Sequence, residues 1–371
     1  DHQTFDLLRY ELAMRVCVLS EARSIHTRRW MGSLAREGCD IHLVSSSKAE
    51  IPGVTLHRHP IYSPNPWHQV RNVRSIRELM RALKPDVVHL FGLFSVSSLG
   101  TMWAIRGLEN LVISVWGSDV APAGPRESYK ERLIKRHLLN QGECLVAVSE
   151  YLAHEVERYL KGPRWIEVIP WGVDIDVFKP VERKGNSGAV TVGFAKRLHP
   201  LSGPDMLLKA FRYARGRCKR ELLLKIAGSG PMEGQLKQEA AQLGLAGSVE
   251  WTGWLGTPEE LRDFYCSVDM LVMPSRRESF GVSAVEASAT GLPVIASRFG
   301  GIPEIVLHGE TGLLVDADDV AGFGEAILLL AGNSDLRLEM GFRGRKRVEE
   351  KFDWRDSVRK MVRIYNKIQN I

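Results

Sequence analysis

The chain lacks most of what would make it secreted, fibrous or membrane-spanning. Its five cysteines are odd in number, far apart, and include no Cys-x-x-Cys pair. That argues against a disulfide framework or zinc site and fits a reducing, cytoplasmic setting. The longest apolar runs, such as "AILLLA", fall far short of the roughly 20 residues that a membrane span needs. No secretory leader is recognised, and "DHQTFDLLRYELA" ahead of Met14 reads as an extension before the first strand. Low-complexity tracts are absent. Lys and Arg exceed Asp and Glu by 50 to 44, a net +6, without a basic tail. Contact with anionic groups is expected from this balance, which does not separate nucleic acid, membrane and phosphate; it is the missing basic tail that argues against nucleic acid.

What is present is an alternation of short apolar runs with amphipathic ones. At 371 residues the chain exceeds what one core usually supports, so two domains are expected. "MRVCVLS", "CDIHLVSS", "PDVVHLFG", "NLVISVWGSD" and "ECLVAVS" read as buried strands with helical sequence between them. The pattern restarts with "AVTVGFAKRL", "ELLLKIAGSGP", "SVEWTGWL", "VDMLVMPS", "LPVIAS" and "TGLLVDA". Buried strands alternating with helices predict parallel sheets covered on both faces. The fold class is therefore α/β, with two doubly wound, Rossmann-like domains at 14–170 and 188–350. "IEVIPWGVDIDVFKPVERKGNSG" reads as the linker, and residues 351–371 as a last helix that crosses back to the first domain. Ligands of such sheets bind at the carboxyl ends of strands, so the motif loops are expected to face a cleft between the domains.

The densest motif is "SRRESFGVSAVEASATGLPVIAS", residues 275–297. Glu278 falls in the loop after a strand and Glu286 on the helix that follows, with an exposed-looking Phe280 between them. Gly281 admits a ligand close to the backbone, and the free N–H groups around Val282 and Ser283 make an anion site. Gly291 and Pro293 stop the helix. Two carboxylates that can bind hydroxyls flank an anion cradle, the layout of a polyol, phosphates and a second polyol. By contrast, "GSGPMEG" misses the dinucleotide fingerprint by one position and contains Pro231. "DAD" at 316–318 is expected in a loop rather than around a metal.

"ESFGVSAVEASATGLPVIASRFGGIPEIVLHGETGLLV" resembles the signature of the retaining glycosyltransferases of family 4, which have the GT-B fold. "GSGPMEGQLKQEAAQLGL", "WTGWL", "VSEYLAHEV", "VIPWGVDIDVFKP" and "FDWRDSVRKMVRIYNKI" stand where that family has its counterparts, so the likeness covers 14–371. The resemblance implies a nucleotide-sugar donor, a glycan or lipid-linked acceptor, and no cofactor or metal. It implies that Glu278 holds sugar hydroxyls and Glu286 the ribose. The amides from Phe280 to Ser283 and the turn at Gly228 would meet sugar and phosphate, and Trp254 and Leu255 would bound the base. Arg197 would pair with the diphosphate. On the acceptor side it points to His26, Trp116 and Asp119. Three departures accompany it. Ser202 stands where the family commonly has Lys, and Lys196, in place of a usual Gly, is expected to restore the charge. Trp116 replaces a common His, and the glycine pair of the first loop is absent from "SEARSIHTRRW". The implied reaction runs on one face of the sugar, with the leaving phosphate taking the acceptor's proton.

The stripe Arg71, Arg74, Arg77, Arg81 and Lys84 lies along one side of a helix. It reads either as a solvated face or as a docking strip for anionic lipid, which would make the protein peripheral on a membrane. Two other functions stay open on the sequence: a non-catalytic sugar-nucleotide binder or subunit of a larger complex, and a sugar-nucleotide epimerase.

Overall fold

Short runs of Val, Ile and Leu with no polar alternation can be satisfied only in the middle of a parallel sheet, and that is where they lie. The computed structural model describes residues 13–59, 66–93, 103–117, 119–121, 127–181 and 188–370, and only the backbone of 66–72. The extension before the first strand and the Arg71 side chain fall outside the described residues. The chain divides into two compact units. One runs to Ile169 and takes up the chain again from Val358; the other is Pro170–Ser357.

In the first unit the strands are β1 (Arg15–Leu19), β2 (Asp40–Ser45), β3 (Val54–Arg58), β4 (Val87–Phe91), β5 (Leu111–Val115), β6 (Cys144–Ala147) and β7 (Trp165–Val168). They form one sheet in the order β3-β2-β1-β4-β5-β6-β7, parallel throughout. β4, β5 and β6 are buried at every position, whereas β3 and β7 at the edges are mostly half-buried. β7 overlaps the start of the stretch that reads as linker in the sequence and belongs to the first unit, which runs to Ile169. Helices between strands include Ile25–Arg36, Pro66–Leu83, Tyr129–Leu139 and Glu150–Glu157.

The second unit has β8 (Val190–Ala195), β9 (Leu222–Ala227), β10 (Val249–Gly253), β11 (Met270–Met273), β12 (Val294–Ser297) and β13 (Gly312–Val315). Their order is β10-β9-β8-β11-β12-β13, again all parallel. Phe194, Phe211, Ile226, Phe323 and Ile327 form the middle of its core, fully buried between the sheet and the helices Pro204–Arg215 and Val320–Gly332. In both sheets the strand order reverses once, between β1 and β4 and between β8 and β11. Among the described residues no helix is long and apolar enough to cross a membrane.

The last helix, Trp354–Gln369, begins in the second unit. There Trp354 N donates to Val173 O at 3.0 Å, and Gly172 is obligatory because a Cβ would lie 2.6 Å from Trp354 N. Its remainder belongs to the first unit, where Tyr365 Oη meets His89 Nδ1 at 2.6 Å, and His89 Nε2 meets Ser114 Oγ at 2.7 Å. Burial drives the His89 pKa down from 6.5 to about 3. The unfolded chain therefore binds a proton near pH 6.5 that the folded one refuses until about 3. The contribution of neutral His89 is complete above pH 6.5 and lost as pH falls through that window. Urea midpoints measured across it should fall with acid. The slope should be shallower for His89→Gln by up to one proton, about 1.4 kcal/mol per pH unit. Equal slopes for both proteins would remove His89 from the acid limb.

Candidate active site

A parallel sheet opens a crevice where its strand order reverses, beyond the carboxyl ends of the two central strands. In the second unit that point lies between β8 and β11. Lys196 and Arg197 follow β8, and the loop from Pro274 to Gly281 follows β11. Lys196 Nζ donates to Ser275 Oγ at 3.0 Å and pairs with the Glu278 carboxylate. Both members of the pair are mostly buried, at 15% and 19% side-chain exposure. Losing either partner would leave a charge poorly solvated, so each depends on the other in the free protein. Arg197 is exposed, and no partner for its guanidinium is found among the described residues.

Close backbone packing holds these loops together. Gly228 has φ +136°, and a Cβ there would lie 2.0 Å from Lys196 O. Its amide donates to Gly253 O at 2.7 Å, which links the end of β9 to the end of β10, where Trp254 is exposed and Leu255 half-buried. Gly203, at φ +71°, leaves no room for a Cβ against Pro274 O. Arg276 then ties the loops after β8 and β11 to each other. Its guanidinium binds both oxygens of Asp205 at 2.8 Å, Pro200 O at 2.8 Å and Asp318 at 2.7 Å, and its amide donates to Leu201 O. The "DAD" aspartates are thus matched with arginines: Asp318 with Arg276, and Asp316 with Arg298 at 3.7 Å.

The helix expected after Gly281 runs Val282–Ala289, with Gly281 at φ +116° and no side chain capping its start. Ser283 Oγ donates to Ala195 O at 2.8 Å, fixing that start beside the end of β8. Glu286 accepts a bond of 2.8 Å from Tyr265 Oη. Burial first, and then the Glu286 charge, pushes the Tyr265 pKa up, so the phenol stays a donor. Phe280 does not face solvent. It is 3% exposed and meets the Phe352 ring edge-on at 6.0 Å. Its side chain belongs to the core, so only its backbone remains for a ligand. The sequence reading did not foresee Ser275, Arg276 or Tyr265. The arginine pair in "SRRESFG" was a signal, but its partners lie far off in the chain.

At the reversal point of the first unit, Ser20 Oγ donates to Phe91 O at 2.9 Å and lies 2.9 Å from Thr27 Oγ1. His26 meets Trp116 edge-on at 6.0 Å, and Trp116 meets Phe91 at 4.7 Å. Burial, reinforced by Arg29, brings the His26 pKa from 6.5 to about 4, so the imidazole is neutral at neutral pH. Asp119 is buried, and its carboxylate accepts from Gly117 N at 2.7 Å, Trp116 N at 3.0 Å and Leu93 N at 3.2 Å. It clamps the loops after β4 and β5 and sets the position of Trp116. Burial pushes its pKa up, and the amide bonds oppose that rise.

A sheet reversal lined by two cations, two carboxylates and an uncapped helix start suits an anionic, polyhydroxylated ligand. Residues 178–347 match the family model described as glycosyl transferases group 1, and residues 15–149 the one described as glycosyl transferase 4-like. D-inositol 3-phosphate glycosyltransferase of Corynebacterium jeikeium is 30% identical over 290 residues, 73% of this chain and 68% of that protein. GDP-mannose-dependent alpha-(1-6)-phosphatidylinositol monomannoside mannosyltransferase of Mycolicibacterium smegmatis is 31% identical over 326 residues, 83% of each. Among solved structures, sucrose-phosphate synthase from Thermosynechococcus elongatus superposes with a TM-score of 0.82 over 96% of this chain and 99% of that one, at 19% identity. Anabaena HepE in complex with UDP and glucose does so with 0.76 over 95% and 100%, also at 19%. These structural likenesses show the fold, which is GT-B. The chain belongs to the group 1 glycosyltransferases of family 4, and it is a transferase.

The position of Phe280 gives a direct test. Phe280→Ala should cost about 3–5 kcal/mol of stability by opening a cavity against Phe352. A variant with unchanged melting and weakened sugar binding would instead place the ring in the site.

Proposed function

We propose that the protein moves a sugar from a nucleoside diphosphate sugar to a hydroxyl of a glycan or lipid-linked acceptor, with retention at the anomeric carbon. The observation that carries this is the Lys196–Glu278 pair beside Arg197 at the β8/β11 reversal. The reading is supported by the relative whose name specifies GDP-mannose and by the neighbour solved with UDP and glucose. On binding, the diphosphate offers Lys196 an anion, and the sugar offers Glu278 hydroxyl donors. The ion pair of the free protein then exchanges for two ligand contacts without stranding either charge. Glu286, oriented by Tyr265, takes the ribose hydroxyls. The backbone around Trp254 and Leu255 bounds the base.

Catalysis on this reading is stabilisation of the departing diphosphate. Arg197, Lys196 and the amides at the start of the Val282–Ala289 helix supply the positive field without a metal. Donors of this kind are worth on the order of 3 kcal/mol of barrier each in a dry site. Glu278, exchanged from Lys196 onto the sugar hydroxyls, holds the sugar and does not attack it. The acceptor hydroxyl then enters on the face the phosphate leaves, and the phosphate oxygen takes its proton. His26, Trp116 and the loop held by Asp119 form the acceptor side.

Thermal shift with UDP and GDP separates the two donor classes, since a ligand at 100 times its Kd adds about 2.7 kcal/mol. With the preferred nucleotide sugar, NMR of the product should show the donor's anomeric configuration. Arg197→Ala should lower kcat about a hundredfold or more. Glu286→Ala should weaken the nucleotide by about 1.5–3 kcal/mol. Unchanged affinity for nucleotide and nucleotide sugar in Glu286→Ala would take that residue out of the site. An inverted product would overturn the proposed chemistry.

A further inference from the structure

The helix Ser334–Lys351 has two faces of opposite character. Its inner face is locked to the second unit. Met340, Gly341, Gly344 and Val348 are buried, and Gly341 leaves no room for a Cβ against Gly291 O. Arg345 donates to Ala289 O at 2.8 Å and Phe178 O at 2.6 Å, and Arg347 to Ile305 O at 3.0 Å. These anchors fix the helix about its axis, so what it holds outward stays outward. There stand Leu338 at 67% and Phe342 at 72% exposure, among the most exposed large apolar side chains of the described residues.

The outward face is ordered. With 3.6 residues per turn, Leu338 and Phe342 lie one turn apart, opposite Met340, Gly344 and Val348. Asp335 continues their line about one turn before Leu338, and Lys346 one turn after Phe342; both are exposed. From the amino to the carboxyl end the line therefore reads acid, apolar, apolar, base. Charges alongside it are matched within the helix, Glu339 with Arg343 and Glu349 with Arg345. Asp335 and Lys346 are held loosely: Ser334 Oγ lies 3.5 Å from the one, and Glu350 lies 4.0 Å from the other.

We propose that this face is a self-association surface, on which two copies of the chain meet with these helices antiparallel and the two-fold axis level with Met340. In that register Leu338 of each copy packs on Phe342 of the other. Asp335 of each copy meets Lys346 of the other, so two ion pairs close the ends of the contact. The order of charges selects the partner. A complementary surface must offer base, apolar, apolar and acid along one line, and the same helix read in reverse does so. A uniformly acidic or basic partner would match one end and repel the other. A two-fold contact uses the same patch on both subunits, as this one does. One helix face offers less than the roughly 800 Å² per partner of a standard interface, so the dimer is weak, with a dissociation constant on the order of 10–100 µM. The proposal does not depend on the donor assignment, in which none of these four residues takes part.

The test is sedimentation equilibrium of the full chain from low to high micromolar concentration, with a thiol reductant present. The parent should pass reversibly from the mass of one chain to that of two. Leu338→Ser/Phe342→Ser should weaken association about a hundredfold or more. Leu133→Ser, at an exposed apolar position of the first unit, should associate like the parent. Asp335→Lys and Lys346→Asp should each weaken it about tenfold, because each breaks two ion pairs and sets like charges together. Asp335→Lys/Lys346→Asp exchanges the two charges, rebuilds both pairs and should recover the parent's affinity. Phe342→Glu, a single change at an outward position, serves as a second apolar probe, and melting curves verify folding. A folded parent that stays monomeric to the highest concentration would overturn the proposal. So would association that survives both Leu338→Ser/Phe342→Ser and Phe342→Glu, or that grows beyond two chains. Weakening in both single charge variants without recovery in the exchanged pair would overturn the antiparallel contact.

Discussion

The adjacency of β8 and β11 is the constraint on which the candidate site depends. Because strand order reverses between them, no helix crosses over their carboxyl ends, and two loops from distant parts of the chain meet there. Lys196 can reach Ser275 and Glu278 only in this arrangement. The same neighbourhood lets Ser283 Oγ bond Ala195 O, which sets the start of the glutamate-bearing helix against the end of β8. Gly203 and Gly228 are part of this constraint. Each carries a positive φ, and each would drive a Cβ into a carbonyl oxygen of a neighbouring loop. A side chain at either position would separate the loops that the charged groups need close together.

The two units use one construction for different electrostatics. Each has a parallel sheet with a single reversal, and each gathers its candidate residues there. In the second unit the reversal holds a lysine against a glutamate, next to Arg197, which has no partner among the described residues. In the first, the corresponding groups are neutral or internally compensated: His26 titrates near 4, and Asp119 is occupied by three backbone amides. A buried carboxylate bonded in this way positions its loop and has few acceptor sites left for a substrate. The proposed division between a charged donor and a less charged acceptor therefore rests on how each reversal treats its ionisable groups, as well as on residue types.

The central strands were legible because a buried parallel strand is apolar at every position, and "VVHLF" or "VTVGFA" has few alternative readings. The edge strands were not. β3 reads "VTLHR" and β7 "WIEV"; half-buried and short, they carry too little contrast, and Pro170 beside β7 suggested a linker. In the site, the helix from Val282 was legible from Gly281, Gly291 and Pro293, all local signals. Phe280 was misjudged because its neighbours Ser279 and Gly281 look like surface, while its packing partner, Phe352, is far along the chain. Arg276 went unnoticed for the same reason: Asp205, Asp318 and Pro200 come from separate loops. Sequence pattern shows where a chain turns and which face it buries. It does not show which distant side chain arrives to fill the space.

On the proposed reading, position 202 bears on where the donor site takes its cation. Ser202 is buried in a single turn, Pro200–Ser202, whose neighbour Leu201 accepts from the amide of Arg276 and whose neighbour Gly203 packs on Pro274. That turn and the 274–277 loop are thus in contact along their length. Lys196 approaches the same loop from the end of β8 and places its ammonium on Ser275, next to Pro274. On the proposed reading, Lys196 brings to this loop the cation that a lysine at 202 would otherwise supply. Among the described residues Glu278 is the carboxylate that pairs with the Lys196 ammonium, while Asp205 and Asp318 are matched to Arg276, so a second ammonium there would lack compensation and face like-charge repulsion in a partly dehydrated setting. On the proposed reading the serine at 202 and the lysine at 196 belong together, because the serine leaves Lys196 as the cation matched to Glu278.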